Sequence, residues 1–118
     1  MSDRVNRVLV YGGRDFADEQ KVRDVLHALR QKGAEFLLIQ GGASGADMLA
    51  RNWAIGNGEP CCTFHAPWGA LGKSAGPIRN RWMQEYGRPT FAVEFPGGRG
   101  TADMRSILEA HSVEIWKP

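Results

Sequence analysis

Apolar positions along the chain follow two alternating patterns. Residues 7–11 (Arg-Val-Leu-Val-Tyr) form a short run rich in β-branched side chains that stops at Gly12-Gly13, the pattern of a strand buried on both faces. From Asp18 the spacing turns helical, with Val22, Val25, Leu26 and Leu29 in one stripe and Gly33 as a C-terminal stop. Residues 36–40 (Phe-Leu-Leu-Ile-Gln) repeat the strand pattern, end at Gly41-Gly42 and lead into a helix over 46–55. A weaker strand over 61–65 and a long loop over 66–76 follow. Next comes a helix over 77–86, with Pro77 in its first turn and Ile78, Trp82 and Tyr86 on one face. A strand over 91–95, a glycine-rich turn over 96–100, a helical stripe of Met104, Ile107, Leu108 and His111, and an edge strand over 113–116 complete the chain.

Strands that alternate with single helices through short connections must pair in parallel, because each crossover returns along the sheet before the next strand begins. The expected architecture is a three-layer α/β sandwich with a Rossmann-like parallel sheet of about five strands. In such sheets ligands bind beyond the carboxyl ends of the strands, where the loops here are rich in glycine.

Composition narrows the class. A chain of 118 residues has the size of one domain, and 42% apolar with 24% charged residues is ordinary for a globular one, folding alone or as a homo-oligomer. No run approaches the roughly 20 apolar residues of a membrane span. The start Met1-Ser2-Asp3-Arg4 lacks an apolar signal segment, so a cytoplasmic protein with no membrane partner is expected. A formal charge of +2 argues against a nucleic-acid partner and makes any anion affinity local. Cys61 and Cys62 are adjacent and read as reduced thiols; with no completing ligands nearby, neither a metal nor another cofactor is expected.

Three loops carry the chemistry. In Gly41-Gly42-Ala43-Ser44-Gly45-Ala46-Asp47, glycines allow close backbone approach while a helix amino terminus faces the loop, a setting for an anion. Asp47 reads first as a residue interacting with that same helix start. Pro96-Gly97-Gly98-Arg99-Gly100-Thr101 repeats the arrangement, with Thr101 or Gly100 as N-cap and Arg99 as a nearby cation. Between them, Lys73 lies in a glycine-bounded flexible loop and Arg79 in the first turn of a helix, both accessible to neutralise a phosphate. Trp68 or Phe16 is placed to flank a base or ribose, and Gly12, Arg14 and Asp15 to line the rim; Arg81 reads as a surface charge. Gly72-Lys73-Ser74 is not a P-loop, because Pro67 stands where the first glycine belongs, and no Gly-x-Gly-x-x-Gly follows the first strand. Of the histidines only His65 falls near this edge, and no serine is paired with a histidine and an acid.

Taken in order, Gly12-Gly13-Arg14-Asp15-Phe16, Gly41 to Asp47, Trp68 to Asn80 and Phe95-Pro96-Gly97-Gly98-Arg99-Gly100-Thr101 resemble the SLOG superfamily, most closely its small stand-alone branch related to YspA and YpsA. The resemblance implies a Rossmann-like domain that binds nucleotides or nucleotide-derived molecules. It groups the chain with Lonely Guy phosphoribohydrolases, molybdenum-cofactor carriers and the DNA-processing protein DprA. In the phosphoribohydrolases an Arg-Lys-x-x-Met segment and a Pro-Gly-Gly-x-Gly-Thr-x-x-Glu segment serve N-glycosidic cleavage. Arg79 and Met83 fit the first, but the second ends here in Met104, which cannot carry a proton, with Asp103 one position away and about 100° around the helix. The leading expectation is a module that binds or senses a phosphorylated nucleotide-derived ligand. Alternatives are an N-glycoside hydrolase using Arg79 with Asp103 or Asp47, and a DprA-like DNA-associated module.

Overall fold

The computed structural model describes residues 5–32 and 35–118; the Gly33 stop and the Met1–Arg4 segment lie outside them. β1 (Val5–Tyr11) is the centre of a five-stranded parallel sheet in the order β3-β2-β1-β4-β5, formed with β2 (Glu35–Gln40), β3 (Cys61–Thr63), β4 (Phe91–Glu94) and β5 (Ile115–Trp116). Alternation along the strands divides the core in two. Val8, Val10, Phe36, Leu38 and Val93 face one side, where α1 (Glu19–Lys32) and α2 (Ala46–Gly56) cover them. Leu9, Tyr11, Ile39 and Ala92 face the other, under α4 (Ala75–Glu85) and α5 (Arg99–Ala110). Each layer buries a helix stripe against a strand face, and the result is the expected three-layer Rossmann-like sandwich.

The helix stripes hold on α1 and, His111 apart, on α5, but not on α4. Val22, Val25 and Leu26 of α1 and Met104 and Leu108 of α5 are buried, whereas His111 lies beyond α5 and is exposed. On α4 the buried residues are Ala75, Arg79, Asn80 and Met83; Ile78 and Trp82 are half-buried and Tyr86 is 66% exposed. The buried face of α4 is therefore rotated away from the one apolar spacing assigned to Ile78, Trp82 and Tyr86, and two polar residues, Arg79 and Asn80, lie on it. The long loop over 66–76 is also largely helical: α3 (Trp68–Leu71) makes one turn, and a 3₁₀ turn (Gly72–Ser74) joins it to α4. Cys61 packs with one core and Cys62 with the other, because successive strand residues point to opposite faces; the two thiols are free. No helix among the described residues is long and apolar enough to cross a membrane.

Candidate functional site

At the carboxyl edge of the sheet the loops after β1, β2 and β4 lock together before they form a cleft. The amide of Gly13 donates to the carbonyl of Pro96 at 2.8 Å, and that of Ala46 to the carbonyl of Gly13 at 3.2 Å. Gly45 has φ +80°, and a Cβ there would lie 2.2 Å from the carbonyl oxygen of Gly13. The approach of the β1 loop to the start of α2 therefore depends on a bare Cα.

This contact changes what the two glycine loops offer. Carbonyls of Gly13 and Arg14 close over the amino terminus of α2, with Ser44 Oγ donating weakly to Arg14 at 3.4 Å. The amides of Gly41 and Ala43 donate to Asp47 Oδ2, at 3.1 and 3.3 Å, and that of Gly42 to Gln40 Oε1 at 2.6 Å. Asp47 thus turns back into the preceding loop, and most of the donors expected there already have acceptors. The amino terminus of α5 is different. Gly98 is its N-cap, not Thr101 or Gly100, and Gly98, Arg99, Gly100 and Thr101 all border a cleft of about 550 Å³. The terminal amides of a helix and its positive dipole end point toward such a space.

Around the same cleft the fold gathers Gly12, Arg14, Ala43, Asp47, Trp68, Lys73, Arg79, Asn80 and Asp103. Four cations line it: Arg14, Lys73, Arg79 and Arg99. A smaller neighbouring pocket of about 300 Å³ is bordered by Gly42, Ser44 and His65, and shares Arg14, Ala43, Trp68 and Arg79 with the cleft. The Arg14 guanidinium lies over the Trp68 ring, 5.3 Å from its centroid, so this pair stands where the two spaces meet. Four expected residues line neither space: Asp15 is exposed, Gly45 seals the α2 start, Gly97 packs against Thr101 and Gly13, and Phe16 lies against Phe95. The Phe16 ring stacks there at 5.0 Å and belongs to the core, not to a ligand wall. Tyr11, Pro77, Met83 and Met104 supply apolar cleft wall. Apolar spacing marked Met104 as core, and Met83 stood out only through the Arg-Lys-x-x-Met resemblance; no sequence signal assigned either to a cleft wall.

Arg79 differs most from its expected setting. It sits in the second turn of α4 and is only 9% exposed, so its accessible atoms face the cleft and not bulk solvent. Its Nη1 donates to the carbonyl of Gly41 and its Nε to Asn80 Oδ1 at 2.9 Å; Asn80 Nδ2 in turn donates to Asp103 Oδ2 at 2.9 Å. A hydrogen-bonded chain therefore links Asp103, Asn80, Arg79, Gly41 and Asp47 beside the cleft. The one-position offset of Asp103 from Met104 does not remove its carboxylate from the cleft, while Met104 itself is buried. Burial raises the Asp47 carboxyl from an ordinary 3.8 to about 6, against the opposing pull of the Ala43 amide and Arg79. Burial likewise lowers the affinity of Arg79 for its proton, partly offset by Asp47. Behind the cleft wall, Tyr11 donates to Glu94 Oε1 at 2.8 Å, and Arg105 holds the same carboxylate through two bonds of 2.8 and 2.7 Å.

The family model of the YspA, cpYpsA-related SLOG family matches residues 6–70, more than half of the chain. The protein belongs to this SLOG family. The matched span carries β1 to β3, the Gly41–Asp47 loop and Trp68; Lys73, Arg79 and the Gly97–Thr101 loop lie beyond it. Among curated proteins the chain is similar to the Gene 61 protein of Mycobacterium phage D29, 32% identical over 117 residues, covering 94% of this chain and 93% of that one. No solved structure matches the chain. Membership in a SLOG family suggests a role in binding or processing something related to nucleotides.

Proposed function

We propose that the cleft binds a phosphorylated, nucleotide-derived small molecule, with its phosphate at the start of α5. The observation that carries this reading is the convergence of an open helix amino terminus with Arg14, Lys73, Arg79 and Arg99 on one cleft of about 550 Å³. Anions are favoured there by the helix amides and the nearby charge together. Trp68 offers a ring face for a base, and Pro77, Met83 and Met104 an apolar wall for the uncharged part of the ligand. The loop after β2 contributes shape more than donors, since Asp47 and Gln40 accept its amides.

A second reading, N-glycoside hydrolysis, is favoured by one observation: Asn80 holds Asp103 at the cleft that Arg79 borders. A carboxylate there suits an electron-poor ribosyl carbon, and Asp47 has a proton to give near pH 6. Calorimetric titration with nucleoside monophosphates, dinucleotides and ADP-ribose, combined with chromatography for released base, tests both. Saturable binding without base supports the module, release at about 1 per second or faster supports the hydrolase, and no binding of any of these ligands overturns both.

A further inference from the structure

The amino-terminal edge of the sheet, opposite the cleft, carries a second concentration of positive charge. Arg7 of β1, Arg81 of α4 and Arg88, which precedes β4, border one depression of about 490 Å³, whose wall includes a single carboxylate, Glu85. Among the described residues the ion pairs are Arg23 with Glu19, Arg30 with Glu59 and Arg105 with Glu94; Arg7, Arg81 and Arg88 have no carboxylate of a described residue within 4.0 Å. Like charges gathered around one concavity repel each other until an anion enters.

Two observations indicate that the cluster is built and not scattered. The Nε of Arg7 donates to the carbonyl of Arg88 at 2.7 Å, while the Arg7 backbone is tied to Thr90 by bonds of 3.0 and 2.8 Å. That fixes the plane of the guanidinium and leaves both Nη groups without an acceptor among the described residues. Second, Arg88 adopts φ +49° although Gly87, which takes such a conformation freely, stands immediately before it. An arginine held in the left-handed region is strained, and the turn itself has no need of its side chain. Neutralising helix carbonyls does not explain the charges either. Trp82 and Gln84 at the end of α4 already accept from Tyr86 and Arg88, and Leu108 in α5 accepts from His111 and Val113.

We propose that this depression binds a phosphorylated small molecule, its phosphoryl group held by Arg7, Arg81 and Arg88 and its less polar part resting on Pro89, Ile107 and Val113. Guanidinium forks match the paired oxygens of phosphate, and a preset Arg7 loses little freedom on binding. The site stands apart from the cleft, at the opposite end of β1.

Pyrophosphate, titrated at constant ionic strength into ¹⁵N-labelled protein, is the probe. Saturable movement of the Arg88, Thr90 and Val113 amide resonances is expected, with affinity weakened at least about tenfold in both Arg88→Gly and Arg81→Ala. Arg88→Gly relieves the backbone strain, so its melting temperature should rise while the binding is lost, a combination that a purely structural arginine does not produce. Unchanged affinity at these amides in both variants overturns the proposal. So does an absence of saturable movement, or movement confined to Gly98 and Gly100 at the cleft.

Discussion

Asp47 Oδ2 lies 3.1 Å from the amide nitrogen of Gly41, turned back from the helix that carries it. The carboxylate occupies the loop as an internal anion, with Arg79 near enough to oppose its desolvation.

Replacing Asp47 with Asn keeps an acceptor for Gly41 and Ala43 and removes the titration. Because the folded value of about 6 exceeds the ordinary 3.8, the folded state holds the proton more tightly. Wild-type stability should therefore fall as pH rises from about 3.8 to 6 and stay lowered above that window. The shift corresponds to at most about 3 kcal/mol. Melting of wild type and Asp47→Asn at pH 4.5 and pH 8 should show the variant gaining relative to wild type at the higher pH. An equal difference at both pH values would count against it.

The cleft cations should separate by role. Lys73 sits on an exposed 3₁₀ turn and Arg99 in the exposed first turn of α5, so Lys73→Ala and Arg99→Ala should weaken a bound nucleotide by about 1.5–3 kcal/mol each, with little change in melting. Arg79→Ala should lose binding and also fold stability, by roughly 2–4 kcal/mol, since it unties Gly41 and Asn80. Calorimetry paired with thermal melting reads both quantities.

The two loop glycines should part in the same way. Gly45→Ala forces a side chain into φ +80° and against the Gly13 carbonyl, and a loss of at least about 2 kcal/mol of stability is expected. At Gly98 an added Cβ meets no atom within 4 Å, so Gly98→Ala should cost less than about 1 kcal/mol while its methyl hinders a phosphate at the start of α5. Unimpaired nucleotide affinity in well-folded Gly98→Ala would move the phosphate away from that helix.

Glu94 behaves oppositely to Asp47. The bidentate Arg105 guanidinium and the Tyr11 hydroxyl hold its carboxyl below the ordinary 4.5, so its contribution is present above 4.5 and disappears as pH falls through the folded-state value. Glu94→Gln should lower the melting temperature at pH 7 and narrow its deficit under acid. A deficit independent of pH would show that packing, not charge, holds β4 to α5.

β1 and β2 were legible because parallel strands buried on both faces are continuous apolar runs, as in Val8–Leu9–Val10 and Leu37–Leu38–Ile39, and Gly12-Gly13 and Gly41-Gly42 mark where these two end. Face assignment on α4 was not. Hydrophobic spacing selects Ile78, Trp82 and Tyr86, but Arg79 and Asn80 are buried because Gly41 and Asp103 satisfy them, and those partners are 38 and 23 residues away. Most expected site residues do meet at the cleft, since their loops share one sheet edge. Which amides stay open was beyond reach, because it depends on Asp47 reversing its direction and on Gly13 capping a helix from another loop. The α3 turn went unread because Trp-Gly-Ala-Leu is too short and too rich in glycine to show a helical period.

The sheet ends in strands of only three and two residues, β3 and β5. Each outer margin exposes too few backbone donors and acceptors to template another chain, so the protein should tolerate high concentration without growing by strand addition. The same arrangement encloses β1 between neighbours on both sides. Its amides should be the last to exchange with deuterium, and opening should proceed from the margins inward.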